Sequence, residues 1–378
     1  MTTFTTWRGR SLLRFAGAAA LGSALAILPL ASNAIAGSFY QPTFLVSDLE
    51  GVAAHTDPLL KNAWGLVRGP TTPFWIADNA TGVSTLYDGT GQPFPSQSPL
   101  VVTIPPPEGA QGPSAPTGVV FNPTTDFVIS EGGNSGAALF IFATEDGTIS
   151  AWNLQIGSKT AVLTVDNSAK GAVYKGLALG ASSSGNVLYA TNFHAGTVDV
   201  FDADFAPNTL AGGFVDKHAP SGYGPFGIAN INDQLFITYA KQDADKHDDV
   251  AGVGNGFIDV FDLDGNFVKR FAQSGRLNSP WGLTLTPSSF GSFSNALLVG
   301  NFGDGHIQAF NPATGSSLGL LSDARGKPLA IDGLWGLTFG NGQAGAPTNR
   351  LFFTAGPNDE EDGLFGSIQA CMTNRGCL

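Results

Sequence analysis

Cysteine is almost missing from this chain, and charge is scarce. Only two cysteines occur among 378 residues, Cys371 and Cys377, both at the extreme C-terminus; a catalytic thiol is not indicated. Charged residues make up 13% of the chain, and acids outnumber Lys and Arg by 30 to 18. A surface of that sign repels phosphate backbones, so nucleic acid is not a partner. Also missing are a His-Glu-x-x-His helix and a phosphate loop; the strings Gly315-Ser316-Ser317-Leu318-Gly319 and Gly340-Asn341-Gly342-Gln343-Ala344-Gly345 occur, but neither stands between a strand and a helical pattern, as a nucleophile elbow or a dinucleotide fingerprint must. The enzyme classes built on those motifs go with them.

What is present begins with a leader. Arg8, Arg10 and Arg14 stand before an apolar run over 15–30, and Ala34-Ile35-Ala36 supplies small residues for cleavage. This reads as a secretory signal over 1–36 for the general export route, and places the mature chain in the periplasm or outside the cell. A spanning helix is the alternative, but the run is short for a bilayer and Pro29 closes it. No membrane span is expected after cleavage. Loss of the leader removes three arginines and no acid, moving the formal charge of −12 three units further negative. In an oxidising compartment Cys371 and Cys377 read as a small disulfide loop in a tail over 371–378, with a metal or redox pair as the other possibility.

The body, 37–370, repeats itself. A seven-residue phrase of glycine, a small residue, a β-branched one, a variable one, Ala/Val/Leu, an aromatic and Asn/Asp starts at Gly82, Gly147, Gly196, Gly256 and Gly305, with an imperfect copy at Gly366. Ahead of each copy stands a second phrase: Trp64-Gly65-Leu66, Thr117-Gly118-Val119, Lys175-Gly176-Leu177, Phe226-Gly227-Ile228, Trp281-Gly282-Leu283 and Trp335-Gly336-Leu337. Six copies at roughly fifty to sixty residues mark a stacked-module architecture. Each module holds four short strands. The Gly-Leu segment is A, an apolar run is B, the glycine-led phrase is C, and a looser run is D. The expectation is an all-β, six-bladed β-propeller of four-stranded antiparallel blades. The last module lacks a strand D, while 39–49 is unassigned, so the N-terminal run is expected to close the ring there. Two inserts, 122–136 and 241–255, lengthen modules two and four; long loops inside a compact repeat are the usual place for function.

Pro280-Trp281-Gly282-Leu283 with Asn301 and the phrase from Gly305 to Phe310 resembles NHL-type propeller repeats. Trp75-Ile76-Ala77-Asp78-Asn79 and Ala172-Val173-Tyr174-Lys175-Gly176-Leu177 are similar to a narrower family of exported bacterial proteins of uncharacterised function, some with a PEP-CTERM sorting tail. This chain has no apolar helix with basic residues after Cys377, so such anchoring does not carry over.

In a propeller the B–C loops and the turns leading into strand A share one face, around the axial mouth. Counting back four from the strand C glycine gives Asp78, Asn192 and Asn301, one carboxylate and two amides that suit a hard cation such as calcium; gluconolactonase-like propellers, similar in fold and residue type, hold a metal with such residues near the axis. Ordinary hairpin residues that bond their own backbone are the competing reading. Acidic clusters stand at Asp243, Asp245, Asp248 and Asp249 around His247, and again over 359–362: surface calcium sites or solvated loops. His194 and His306 are candidate general bases for ester or lactone hydrolysis. Lys175, where most modules carry an aromatic, holds an anion or reaches solvent. Trp64, Phe226, Trp281 and Trp335 share one position, and either form a platform for a sugar or apolar ligand or pack between blades. Two functions follow. The first is an exported module that binds a small molecule, glycan or protein on its loop face. The alternative is a calcium-dependent lactone or ester hydrolase.

Overall fold

Six glycines set how closely the blades approach one another. A methyl group on Gly336 would lie 2.8 Å from the Trp64 carbonyl oxygen, and one on Gly176 would lie 2.9 Å from that of Phe226. The same collision recurs between Gly65 and Thr117, Gly227 and Trp281, and Gly282 and Trp335, while at Gly118 the obstacle is the backbone of Leu177. Each contact is between strand A of one blade and strand A of the next, and the Gly336–Trp64 contact joins the last blade to the first. Only a residue without a Cβ fits where six backbones crowd one axis.

In the computed structural model the described residues are 38–156, 159–372 and 376–377; the proposed leader over 1–36 lies outside them. They form six blades, as the repeat predicts. Blade 1 consists of strands Ala63–Val67, Phe74–Asp78, Val83–Tyr87 and Val101–Thr103. Blade 2 has Pro116–Phe121, Phe140–Thr144, Thr148–Trp152 and Val162–Asp166, and blade 3 has Tyr174–Ser182, Gly185–Asn192, Thr197–Phe201 and the short Pro207–Asn208. Blade 4 has Tyr223–Ile231, Gln234–Lys241, Gly256–Asp262 and Phe267–Gln273; blade 5 has Pro280–Leu285, Leu297–Asn301, Ile307–Phe310 and Ser317–Leu320. Blade 6 takes Leu334–Phe339, Leu351–Ala355 and Leu364–Met372 from the C-terminal end and Ser38–Ser47 from the N-terminal end. The ring is closed by that N-terminal strand. It runs antiparallel to Leu364–Met372 with one irregularity between Phe44 and Val46. Helix is confined, among the described residues, to three short 3-10 turns, and none is long and apolar enough to cross a membrane.

Threonines tie neighbouring blades together where the glycines let them touch. Thr354 Oγ1 donates to the Trp64 carbonyl (2.6 Å) and accepts from Gly336 N–H (2.9 Å), and Thr191 links Phe226 and Gly176 the same way. Between blades the faces are apolar: Trp75 stacks on Phe140 with centroids 4.0 Å apart, and Phe74 lies against Phe352 at 4.4 Å. The strand C glycines have a local task as well. Gly82, Gly147, Gly196 and Gly305 take left-handed φ between 68° and 81° in tight B–C turns. Gly256 and Gly366, which follow longer B–C loops, do not need it. The insert over 122–136 folds as a small hairpin of Val128–Glu131 and Asn134–Ala137. At the C-terminus Gly376–Cys377 turns back on Cys371–Met372, and Cys371 and Cys377 form a disulfide. The last strand therefore runs two residues past the expected boundary at 370.

Candidate functional site

The first residue of each Trp-Gly-Leu phrase points to the axis, and there the aromatics meet one another. Trp64 and Trp335 stack at 3.6 Å, Trp281 stands edge-on to both, and Phe226 lies 5.8 Å from Trp335. Phe193 and Phe302, which follow the strand B ends of blades 3 and 5, join them, with Phe302 stacked on Trp335 at 4.0 Å. The result is a plug across the axis rather than an open platform, because Trp64, Trp335 and Trp281 are only 2%, 1% and 9% exposed. Beneath it a cavity of about 90 Å³, lined by the strand A glycines, has room for a few waters.

Blades 2 and 3 break the aromatic ring with Thr117 and Lys175. Of the two readings of Lys175, an anion holder or a side chain reaching solvent, the second is corrected: the residue is 2% exposed, its Nζ lying 5.0 Å from the Trp64 ring centroid and 5.8 Å from that of Phe193. A buried ammonium needs partners. Glu145, from the B–C turn of blade 2, is hydrogen-bonded to it, and Asp248, from the insert of blade 4, lies 3.4 Å away. Burial works against the charge, yet Glu145, Asp248 and Glu360 outweigh it and hold the ammonium above the ordinary lysine value. As an anion site Lys175 is already supplied with carboxylates by the chain itself.

A hydrogen-bond network ties this ion cluster to the plug. Asn62 Oδ1 accepts from both Trp64 Nε1 (2.9 Å) and Trp335 Nε1 (3.2 Å). Its Nδ2 donates to Glu360 Oε2 (2.6 Å) and Asn79 Oδ1 (3.3 Å), and Asn79 in turn donates to Glu145 Oε2 (2.8 Å). Glu360 arrives from the B–C loop of blade 6, where Asn358, Asp359 and Glu360 all take positive φ, a costly run for residues other than glycine. Burial first, and the Glu145 charge after it, raise the Glu360 carboxyl to about 7, against the Asn62 hydrogen bond and Lys175. On the far side His247 Nδ1 lies 2.9 Å from Asp248 Oδ1; that hydrogen bond raises the imidazole and, with Lys175, pulls Asp248 down to about 2. Burial raises Asp249 and Asp146 nearby. Groups whose proton affinities are driven apart at one mouth are what acid–base chemistry and cation binding use.

Glu145, His247 and Asp248 place one ligand atom each within 4.8 Å of one another. One imidazole and two carboxylates suit a first-row transition ion better than calcium, and the Lys175 ammonium already stands against both carboxylates.

Of the expected site residues, the acidic insert around His247 and the acidic loop over 359–362 do come to the mouth. Asp78, Asn192 and Asn301 are not brought together. Asp78 is fully buried and accepts from Thr85 N–H (3.0 Å), Asn192 bonds Val173, Ala195 and Asp199, and Asn301 bonds Asn278, Arg276 and Asp304. All of these bonds lie within one blade and the turns that lead into it. The residues that do reach the axis are the next ones along, Asn79, Phe193 and Phe302, since neighbouring side chains of an extended chain point to opposite sides. His194 is exposed beside Gly171, and His306 faces Asp304 at 3.3 Å in its own turn; the histidine of the cluster is His247. Asn62, Asn79 and Glu145 were not singled out by sequence. Aligning the blades at their strand ends, one residue further on, is the signal that finds Asn79.

No protein-family model matches the chain. Uncharacterized protein R648 of Acanthamoeba polyphaga mimivirus is 37% identical over 338 residues, 86% of this chain and 79% of that one. Uncharacterized protein L690 of the same virus is 35% identical over 341 residues, 87% of this chain and 85% of that one. Among solved structures, a virginiamycin B lyase from Staphylococcus aureus is 13% identical and covers 88% of this chain and 99% of its own, with a TM-score of 0.48. The propeller expectation stands, whereas the expected kinship with exported bacterial proteins bearing sorting tails is not supported, the relatives found being viral. At that identity and coverage the chain belongs to one family with the mimivirus proteins R648 and L690.

Proposed function

We propose that this propeller is a binding module whose site is the loop-bearing end of its axis, taking a small ligand that carries positive charge. One observation carries the reading: ionisable or amide side chains from five blades, Asn62 and Asn79, Glu145, Lys175, Asp248 and Glu360, meet on the aromatic plug in a single hydrogen-bonded network. Carboxylates outnumber cations there, with Glu145, Asp146, Asp248, Asp249 and Glu360 against Lys175 and His247, so the mouth attracts cations. Export by the N-terminal leader belongs to the same proposal, and N-terminal sequencing of protein recovered outside the cytoplasm tests it.

The second reading is a metal-dependent hydrolase of lactones or esters, favoured by the Glu145, His247 and Asp248 set. A metal held there would supply an activated water and polarise the ester carbonyl. This chain's own residues would orient the substrate over the plug, and Glu360 would hold a proton near neutral pH.

Calorimetric titration with manganese, zinc, calcium and simple diamines separates the cases. Binding that falls at least about tenfold in Glu145→Gln and is unchanged in Asp78→Asn supports the mouth as the site. Lactone or ester turnover that requires added metal and disappears in His247→Ala supports the hydrolase. If no cation binds, or if Asp78→Asn abolishes binding while Glu145→Gln does not, the site lies elsewhere.

A further inference from the structure

Strand C is covered by an outer strand in five blades and left open in one. At the third position of the seven-residue phrase, Ser84 pairs with Val102, Ile149 with Val165, Ile258 with Ala272 and Ile368 with Pro42, and Ile307 C=O accepts from Leu321 N–H at 3.0 Å. In blade 3 the equivalent residue is Val198. The outer strand Pro207–Asn208 reaches only Val200 and Phe201, and the chain then leaves the sheet. Antiparallel pairing turns alternate residues of a strand to alternate neighbours. Thr197, Asp199 and Phe201 therefore face Gly185–Asn192, while the N–H and C=O of Val198 face outward, with no hydrogen-bond partner among the described residues.

Beside this edge lies a cavity of about 370 Å³ with two unlike walls, within the size range of ligand sites. Val198, Leu210 and Phe214 make the wall towards blade 4, packed on that blade's apolar cluster. Lys170, Asn192 and Asp199 belong to the wall towards blade 2. Asp199 is fully engaged by Tyr174, Asn192 and Thr197. Among the described residues the Lys170 ammonium bonds only the neutral side-chain carbonyl of Asn167, so it is the charge that wall offers to a visitor.

We infer that this edge docks an extended peptide, which adds itself to blade 3 as the missing length of outer strand. The outward N–H and C=O of a single strand residue are complemented by another extended backbone, the strand-addition mode of peptide recognition. The register fixes the side chains. The peptide residue opposite Val198 shares its face and enters the apolar wall, and its two neighbours face the polar wall, where an acidic side chain meets Lys170. The fitting partner is an acidic–apolar–polar segment in extended form.

The test selects a phage-displayed library of short random peptides against the full chain and titrates the synthesised winners by fluorescence polarisation. Winners that alternate as described, bind Val198→Pro about tenfold more weakly and lose affinity for Lys170→Glu support the inference. Proline is tolerated on an edge strand whose N–H points outward, so Val198→Pro is expected to melt like the parent. Should it not, Lys170→Glu, at an exposed position, decides alone. Absence of enrichment over an unrelated protein overturns the inference, as do winners that bind both variants as tightly as the parent. Self-association in sedimentation that Val198→Pro abolishes also overturns it, since the occupant is then a second copy.

Discussion

Asn62 shows how much a single residue can organise. It holds a left-handed φ of 45° and uses its amide in four hydrogen bonds, two from indoles and two towards Glu360 and Asn79. Asn62→Ala leaves buried indole N–H groups without acceptors and is expected to cost about 2–4 kcal/mol in urea unfolding, with altered tryptophan fluorescence at full native occupancy. Lys175→Met strands the Glu145 carboxylate beside the plug, for an expected loss of about 3–5 kcal/mol; because the ammonium sits above the ordinary lysine value, the stability it contributes persists to high pH and is lost only above that value. Glu360 acts in the same sense, but near neutrality. Its folded carboxyl takes up protons up to about 7, so folding is favoured below the ordinary carboxylate range and this contribution is lost as pH rises through about 7. Glu360→Gln is expected to flatten the stability profile across that window, and an unchanged slope in urea titrations at several pH values would rule Glu360 out as the source. Little of this scale was legible in the sequence. Residue type marked His247 and the acidic loops, but Asp78 and Asn79 are equally plausible as letters, and only the direction of each side chain decides which one reaches the axis.

At the scale of elements the sequence was far more informative, because strands, turns and glycine collisions are local or nearly so. Gly336→Ala sets a methyl group against the Trp64 carbonyl at the junction of the last and first blades, and is expected to cost at least about 1–3 kcal/mol, read as a lowered melting temperature. The N-terminal strand Ser38–Ser47 completes blade 6, and Tyr40 anchors it to blade 5 through its backbone N–H to Ser322 and its hydroxyl to Phe290. Deleting the strand exposes the edge of Leu364–Met372, so aggregation or loss of cooperative unfolding is expected; a truncated chain as soluble and heat-stable as the parent would contradict this closure. The disulfide of Cys371 and Cys377 sits at the end of that seam, where Cys371 pairs with Phe39, so reduction is expected to increase hydrogen exchange at the terminus and leave the other blades protected. The uncovered length of strand C in blade 3 was not legible, since the outer strands are the least regular part of the repeat and their reach depends on where the following loop departs.

Over the whole molecule, the period of the repeat determined the number of blades, the Trp-Gly-Leu phrase determined that glycine would stand where backbones crowd an axis, and the surplus strand at one end with a missing strand at the other determined how the ring closes. These follow from steric and hydrogen-bonding rules that act within a strand or between neighbours. The tertiary structure decided which side chains share the mouth. Asn62 and Glu360 stand 298 residues apart in sequence, with Glu145, Lys175 and Asp248 spread between them, and they meet because blades 1 and 6 are adjacent only after closure and because the turns into strand A and the B–C loops converge on one axis. Buried charge at that point is tolerable only when all partners arrive together, which no local pattern encodes.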